Sequence, residues 1–148
     1  MKKSVMLTAL IAVAGLAVLL LPARAENAEE AGVRATIENY FRGHATGDGA
    51  YFKQAFHPEA KLFFIRDGKL TTRTSAEYIA GASGKAPADE PERKRRIESI
   101  DITGNAAVVK ITLDYPTVRF TDYMSMLKID GEWKIVNKTF YAEQKARG

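Results

Sequence analysis

"DYMSMLKIDGEWKIVNKTF", residues 122–140, is the stretch whose reading decides the fold. Asp130-Gly131 is a two-residue hairpin signal, flanked on both sides by runs of strand-forming residues. Before the turn, Asp122 alternates with Phe120, Met124 and Met126, so the side-chain period of two puts a carboxylate on a face apolar enough to be buried. After the turn, Trp133, Ile135, Asn137 and Thr139 share one side. If Trp133 and Ile135 face the interior, Asn137 brings a donor and an acceptor into an apolar cavity, which suits the orientation of a neutral polar ligand.

Reading toward the amino end, "AAVVKITLDY" places Ala107, Val109, Ile111, Leu113 and Tyr115 on one face and Asp114 on the other, and Pro116 marks a bend. "RIESIDIT" precedes it across Gly104-Asn105. These strands and the hairpin make a four-strand meander. An earlier hairpin is centred on Asp67-Gly68, where "AKLFFI" alternates Ala60, Leu62 and Phe64 with Lys61, Phe63 and Ile65. Three helices complete the chain. The first runs from Ala28 to about His44, ending near Gly43 or Gly47; the second is capped by Asp48 and stopped by Pro58; the third is capped by Ser75. Helices followed by antiparallel strands indicate an α+β domain with helices on one face of a curved sheet.

The first 25 residues follow a different logic. Lys2 and Lys3 precede an uncharged run, Val5 to Leu21, and then Pro22 and Ala23-Arg24-Ala25. This predicts a secretory signal cleaved after Ala25, with an uncleaved anchor that exports the same domain as the alternative, a single domain over 26–148, and a secreted or periplasmic product with no membrane attachment once cleaved. Lys2, Lys3 and Arg24 account for three of the four net positive charges, so the mature chain carries +4 − 3 = +1. No cysteine is present, which excludes a disulfide framework, a thiol nucleophile and a thiolate metal site. Two separated histidines do not form a structural zinc motif, so no metal and no cofactor is expected.

The segments "YFRGHATGDGAYFKQAFHPEAKLFFIRDGKL", "AEYIAG" and "DYMSMLKIDGEWKIVNKTF" together resemble the putative lumazine-binding family of the nuclear transport factor two-like superfamily, over about Ala31 to Glu143. The resemblance implies a cone: about three N-terminal helices packed on a strongly curved antiparallel sheet, with a pocket inside. It implies no single chemistry, because the superfamily includes ketosteroid isomerases, polyketide cyclases and dehydratases as well as members without known activity. In the isomerase-like relatives a pocket aspartate shuttles a proton and a tyrosine donates to the oxyanion.

On that basis Asp122 is the first candidate base and His57 the second, with Tyr40, Tyr78 and Tyr123 as possible donors. Tyr40, Phe63, Tyr123, Trp133 and Asn137 are the candidate ligand contacts. His57, beside Pro58, also suits a helix-to-strand corner, and His44 suits the carbonyls at the end of the first helix. "ERKRR", residues 92–96, reads as a solvated strand entrance rather than a nucleic-acid surface, since no aromatic platform accompanies it. Phosphate-binding glycine loops, Gly-x-Ser-x-Gly and HExxH are absent.

The leading expectation is therefore an exported domain that binds a small, mostly apolar or heterocyclic molecule without a catalytic constellation. The alternatives are an isomerase, cyclase or dehydratase using Asp122 or His57, and a homodimeric interaction module whose outer sheet face includes Met124 and Met126 or their neighbours.

Overall fold

The computed structural model describes residues 12–146, with side chains from Ala28 onward. Its elements are α1 (Ala12–Thr46), α2 (Gly49–Ala55), β1 (Phe56–Arg66), β2 (Lys69–Thr74), α3 (Ser75–Ala80), a 3-10 turn (Glu90–Glu92), β3 (Lys94–Thr103), β4 (Ala106–Asp114), β5 (Val118–Ile129) and β6 (Glu132–Gln144). The order matches the expected helix, helix, hairpin, helix and meander. The expected signal segment falls outside the described residues, except for the helical backbone from Ala12. Among the described residues, no helix is long and apolar enough to cross a membrane.

The sheet has six strands in the order β2-β1-β6-β5-β4-β3. It is mixed rather than wholly antiparallel, because β6 returns beside β1 in parallel, pairing Leu62 with Lys138 and Phe64 with Phe140. Two of the hairpins are made by local Asp-Gly chemistry. Asp67 and Gly68 have φ of 51° and 73°, and Asp130 and Gly131 have φ of 51° and 85°, the left-handed pair that a type I′ turn requires.

Helix α1 lies in the hollow of the curved sheet. Its Val33, Ile37 and Tyr40 are fully enclosed against Leu62, Ile111, Met124 and Ile135. Each of the larger apolar side chains contributes roughly 1.5–3 kcal/mol by leaving water. The helix ends at Gly47, whose φ of +71° turns the chain and whose amide bonds to the Gly43 carbonyl at 2.9 Å. Gly43 has a packing reason: a Cβ there would stand 2.5 Å from the Phe52 ring, so glycine lets α2 close against α1.

Two caps distinguish local from tertiary control. Asp48 caps α2 as expected, accepting from the Ala50 amide at 2.8 Å. The cap of α3 is Thr74 rather than Ser75, because Thr74 forms a capping box with Glu77. Ser75 is instead buried and donates to the Pro58 carbonyl at 2.7 Å, tying α3 to β1.

Met124 and Met126 are enclosed in the core, not on the outer sheet face. Their neighbours Tyr123 and Leu127 point outward with Val108.

Candidate functional site

The site begins with one carboxylate. Alternation along β5 carries Asp122 inward between Phe120 and Met124, and the carboxylate ends with no solvent exposure. A buried charge requires a partner. Lys138 of β6 supplies it, with Nζ 2.7 Å from Asp122 Oδ2 and a side chain only 4% exposed. Tyr40 of α1 donates to the same oxygen at 2.9 Å, while Lys138 donates to the Tyr40 oxygen at 2.5 Å. The ammonium also sits 4.7 Å from the Phe140 ring centroid and 5.0 Å from that of Tyr40. Asp122 Oδ1 has no hydrogen-bond partner among the described residues.

A second layer connects this triangle to the surface. The Tyr40 and Tyr78 hydroxyl oxygens are 3.3 Å apart, and Tyr78 lies 2.9 Å from His44 Nε2. Tyr40 spends its only proton on Asp122, so Tyr78 donates either to Tyr40, with His44 Nε2–H donating to it, or to His44 Nε2, according to the imidazole tautomer. Burial raises both tyrosines above their ordinary range; the Asp122 charge raises Tyr40 further, whereas Lys138 partly offsets the rise at Tyr78. Burial, and then the cations Lys138, Arg95 and Arg93, push His44 well below the usual imidazole value, so the ring is neutral at pH 7.

His44 and Tyr78 are also walls of a solvent-connected cleft of about 240 Å³, closed on other sides by Phe52, Arg73, Pro87 and Arg93. The cleft lies at the rim and the centre of the fold is filled by side chains, whereas the resemblance implied a pocket inside the cone. The "ERKRR" run helps to build it and is not simply solvated. Arg93 bonds Asp89 at 2.8 Å and stacks 4.2 Å from the Tyr115 ring centroid, and Arg95 grips Glu90 through two bonds of 2.6 and 2.7 Å.

The candidates read from sequence separate on this geometry. Tyr40, Tyr78 and Asp122 come together in one network. His57 does not join it; its Nδ1 accepts from the Glu59 amide at 3.2 Å, holding the corner where the pairing of β1 with β6 shifts register. Phe63 lies on the opposite side of β1 from the buried Leu62 and Phe64. Tyr123 is 46% exposed on the outer face, above Lys110. Trp133 is buried, but its indole N–H donates at 3.0 Å to Glu29, three helical turns before Tyr40 on α1.

Asn137 is the instructive correction. Register between β5 and β6 slips between Ser125 and Met126: Ser125 opposes Asn137, but Met126 opposes Ile135, leaving Val136 as the extra residue. Such a bulge reverses the facing of every later residue. Trp133 and Ile135 point inward, and beyond the bulge Lys138 takes the buried position in place of Asn137. Lys138 and His44 are the two members that sequence reasoning missed as site residues. The only available signal for Lys138 was a lysine among strand residues; for His44 it was its place four residues after Tyr40, one helical turn along the same face.

Known proteins share this frame. An aldolase, FrzH from Cladobotryum sp, is 29% identical over 112 residues, covering 74% of this chain and 88% of its own. A solved NTF2-like protein of unknown function from Shewanella baltica OS155 is 29% identical with a TM-score of 0.69, covering 79% of this chain and 95% of that one. Another, from Silicibacter pomeroyi DSS-3, has a TM-score of 0.71 at 24% identity, covering 80% of this chain and 98% of that one. The family model described as putative lumazine-binding matches residues 28–141, which include every member of the site network, and the chain belongs to that family.

Proposed function

We propose that this chain is an exported small-molecule-binding domain whose ligand enters the rim cleft and meets Tyr78 and His44. One observation carries the reading: Tyr78 lines the cleft and is at the same time bonded to the network that ends on the sealed Asp122–Lys138 pair. A ligand group at that hydroxyl would meet a held, water-poor hydrogen-bonding position rather than a free surface phenol. The family's description supports ligand binding.

Export is supported by Lys2, Lys3, the apolar run and Ala23-Arg24-Ala25. Cleavage after Ala25 would leave intact the Glu29 carboxylate, which bonds Lys128 at 2.6 Å and Trp133 at 3.0 Å. Sequencing the amino end of the secreted protein reads this directly; a start at Met1 removes the cleaved form.

The ligand reading is tested by thermal shift with lumazine and a panel of aromatic heterocycles, comparing the native chain with Ala82→Trp, which fills the cleft. Compounds that bind the native state raise its melting temperature by mass action. Shifts present in the native chain and lost in Ala82→Trp are expected. Equal shifts in both would move the site elsewhere.

A second reading, an isomerase, cyclase, dehydratase or other carbon-centred enzyme, is favoured by the two hydrogen-bond partners of the Tyr78 hydroxyl and by the aldolase relative. In it Tyr78 donates to a ligand oxygen, and Asp122 acts through Tyr40 as a positioning residue, since it lies behind both tyrosines. Tyr78→Phe would then abolish turnover while leaving binding largely intact. Homodimerisation by the outer sheet face is compatible with both readings, and is supported by Val108, Tyr123 and Leu127 at 51%, 46% and 39% exposure. Sedimentation of native protein and Leu127→Lys decides it: a monomer in both removes the dimer.

A further inference from the structure

Charge pairing around the cleft is uneven. Arg93 is matched by Asp89, Arg95 by Glu90 and Lys138 by Asp122, each within 2.8 Å. Arg73 also lines the cleft and forms no ion pair among the described residues, although its charge acts on the nearby Glu77 carboxylate. The nearby Glu77 is committed elsewhere: its Oε2 accepts from the Thr74 amide at 2.8 Å and from the Thr74 hydroxyl at 2.9 Å, completing the cap of α3. Among the described residues, no aspartate or glutamate contributes to the cleft wall. Of the two guanidinium groups in the cleft wall, Arg93 is ion-paired and Arg73 is not.

We infer that the cleft selects a small planar monoanion, with Arg73 holding its negative group, Phe52 packing on its ring, and Tyr78 and His44 facing its polar edge. The inference rests on the cleft being the ligand site. A guanidinium offers a planar pair of donors that matches a carboxylate or an ionised heterocycle edge. The volume, about 240 Å³, is just below the roughly 300–1,000 Å³ of drug-sized pockets and suits one or two fused rings. One unpaired cation in the wall favours one negative charge, because the other wall cation, Arg93, is already paired with Asp89.

Matched probes separate the claims. The full chain, its Arg73→Gln variant and its Ala82→Trp variant are titrated with 2-naphthoate and with 2-naphthamide, the neutral counterpart, following backbone amides by nitrogen-edited NMR. The expected result is movement of the Gly81 and Ala82 amides in the native chain, with naphthoate bound at least about tenfold more tightly than naphthamide, as a charged hydrogen bond provides. Arg73→Gln should erase that preference and keep naphthamide binding, which also shows that the variant is folded. Equal binding of both probes, or a preference that survives Arg73→Gln, overturns the anion inference but leaves the cleft as the ligand site. Failure of both probes to move the cleft amides, or binding unchanged in Ala82→Trp, overturns the cleft reading together with the inference.

Discussion

Lys138 and Asp122 meet diagonally across the β5–β6 ladder, Nζ to Oδ2 at 2.7 Å, both sealed from water. In register, Asp122 opposes Phe140 and Lys138 opposes Met124, so the pair spans one two-residue step on the inner face. Tyr40 closes a triangle over them from a helix 82 residues away from Asp122 in the chain. A buried ion pair is not strong evidence for stability, since desolvation offsets much of its attraction. Here it also holds the tyrosine that underlies the cleft.

Breaking this pair from one side should therefore be severe. Lys138→Met leaves Asp122 enclosed without its countercharge, and urea denaturation should show a loss of about 3–5 kcal/mol. The double variant Asp122→Leu, Lys138→Met should recover most of it. A double variant as unstable as the single one would show that the damage comes from packing rather than from the orphaned carboxylate.

Gly43→Ala tests the α1–α2 approach. Its Cβ would meet the Phe52 ring at 2.5 Å, so the ring must move, at a cost of about 1–3 kcal/mol. Phe52→Leu in the same chain should relieve part of that cost. Unchanged thermal stability of Gly43→Ala would mean that Phe52 yields freely.

His44 predicts a pH dependence with a definite sign. Its folded-state pKa lies well below the ordinary 6.5, first because of burial and then because of Lys138 and the two arginines. The unfolded chain therefore takes up a proton that the folded chain refuses. Stability should be full above pH 6.5 and fall as pH drops below it, by up to about 1.4 kcal/mol per pH unit for one proton. Denaturation curves between pH 7 and 5 should be flatter for His44→Gln than for the native chain, and parallel curves would contradict the assignment.

At the sheet end, Asp114 is bonded by Lys145 at 2.6 Å and by Arg119 at 3.3 Å, and these two bonds lower its pKa to about 2. Its contribution is present above the unfolded value of 3.8 and is lost as pH falls through about 2. Lys145→Ala should raise the Asp114 midpoint measured by carboxyl carbon NMR. An unmoved midpoint would leave Arg119 as the controlling cation.

Elements whose signals are local were legible before any folding argument. The Asp67-Gly68 and Asp130-Gly131 turns need left-handed residues, and the residues present favour them. Asp48 caps its helix through a contact two residues away. The burial of Asp122 follows from the period of β5 alone, because no irregularity separates it from Met124 and Met126 in its own strand. The sequence by itself thus determined the order of elements, the hairpins and the inward carboxylate.

The partners of that carboxylate were decided only in three dimensions. Whether Asn137 or Lys138 enters the core depends on the Val136 bulge, which exists only through pairing with β5. His57 and His44 are similar in composition-level terms, but packing sends one to a strand corner and the other against Tyr78 and Phe52. Arg73 forms no ion pair among the described residues because Glu77 is drawn to a helix cap, and Arg93 and Arg95 are quenched because the 89–92 turn folds back onto them. Each of these outcomes is a competition among groups distant in sequence or free to choose partners. Local periodicity carries no record of such a choice, and only the packed chain resolves it.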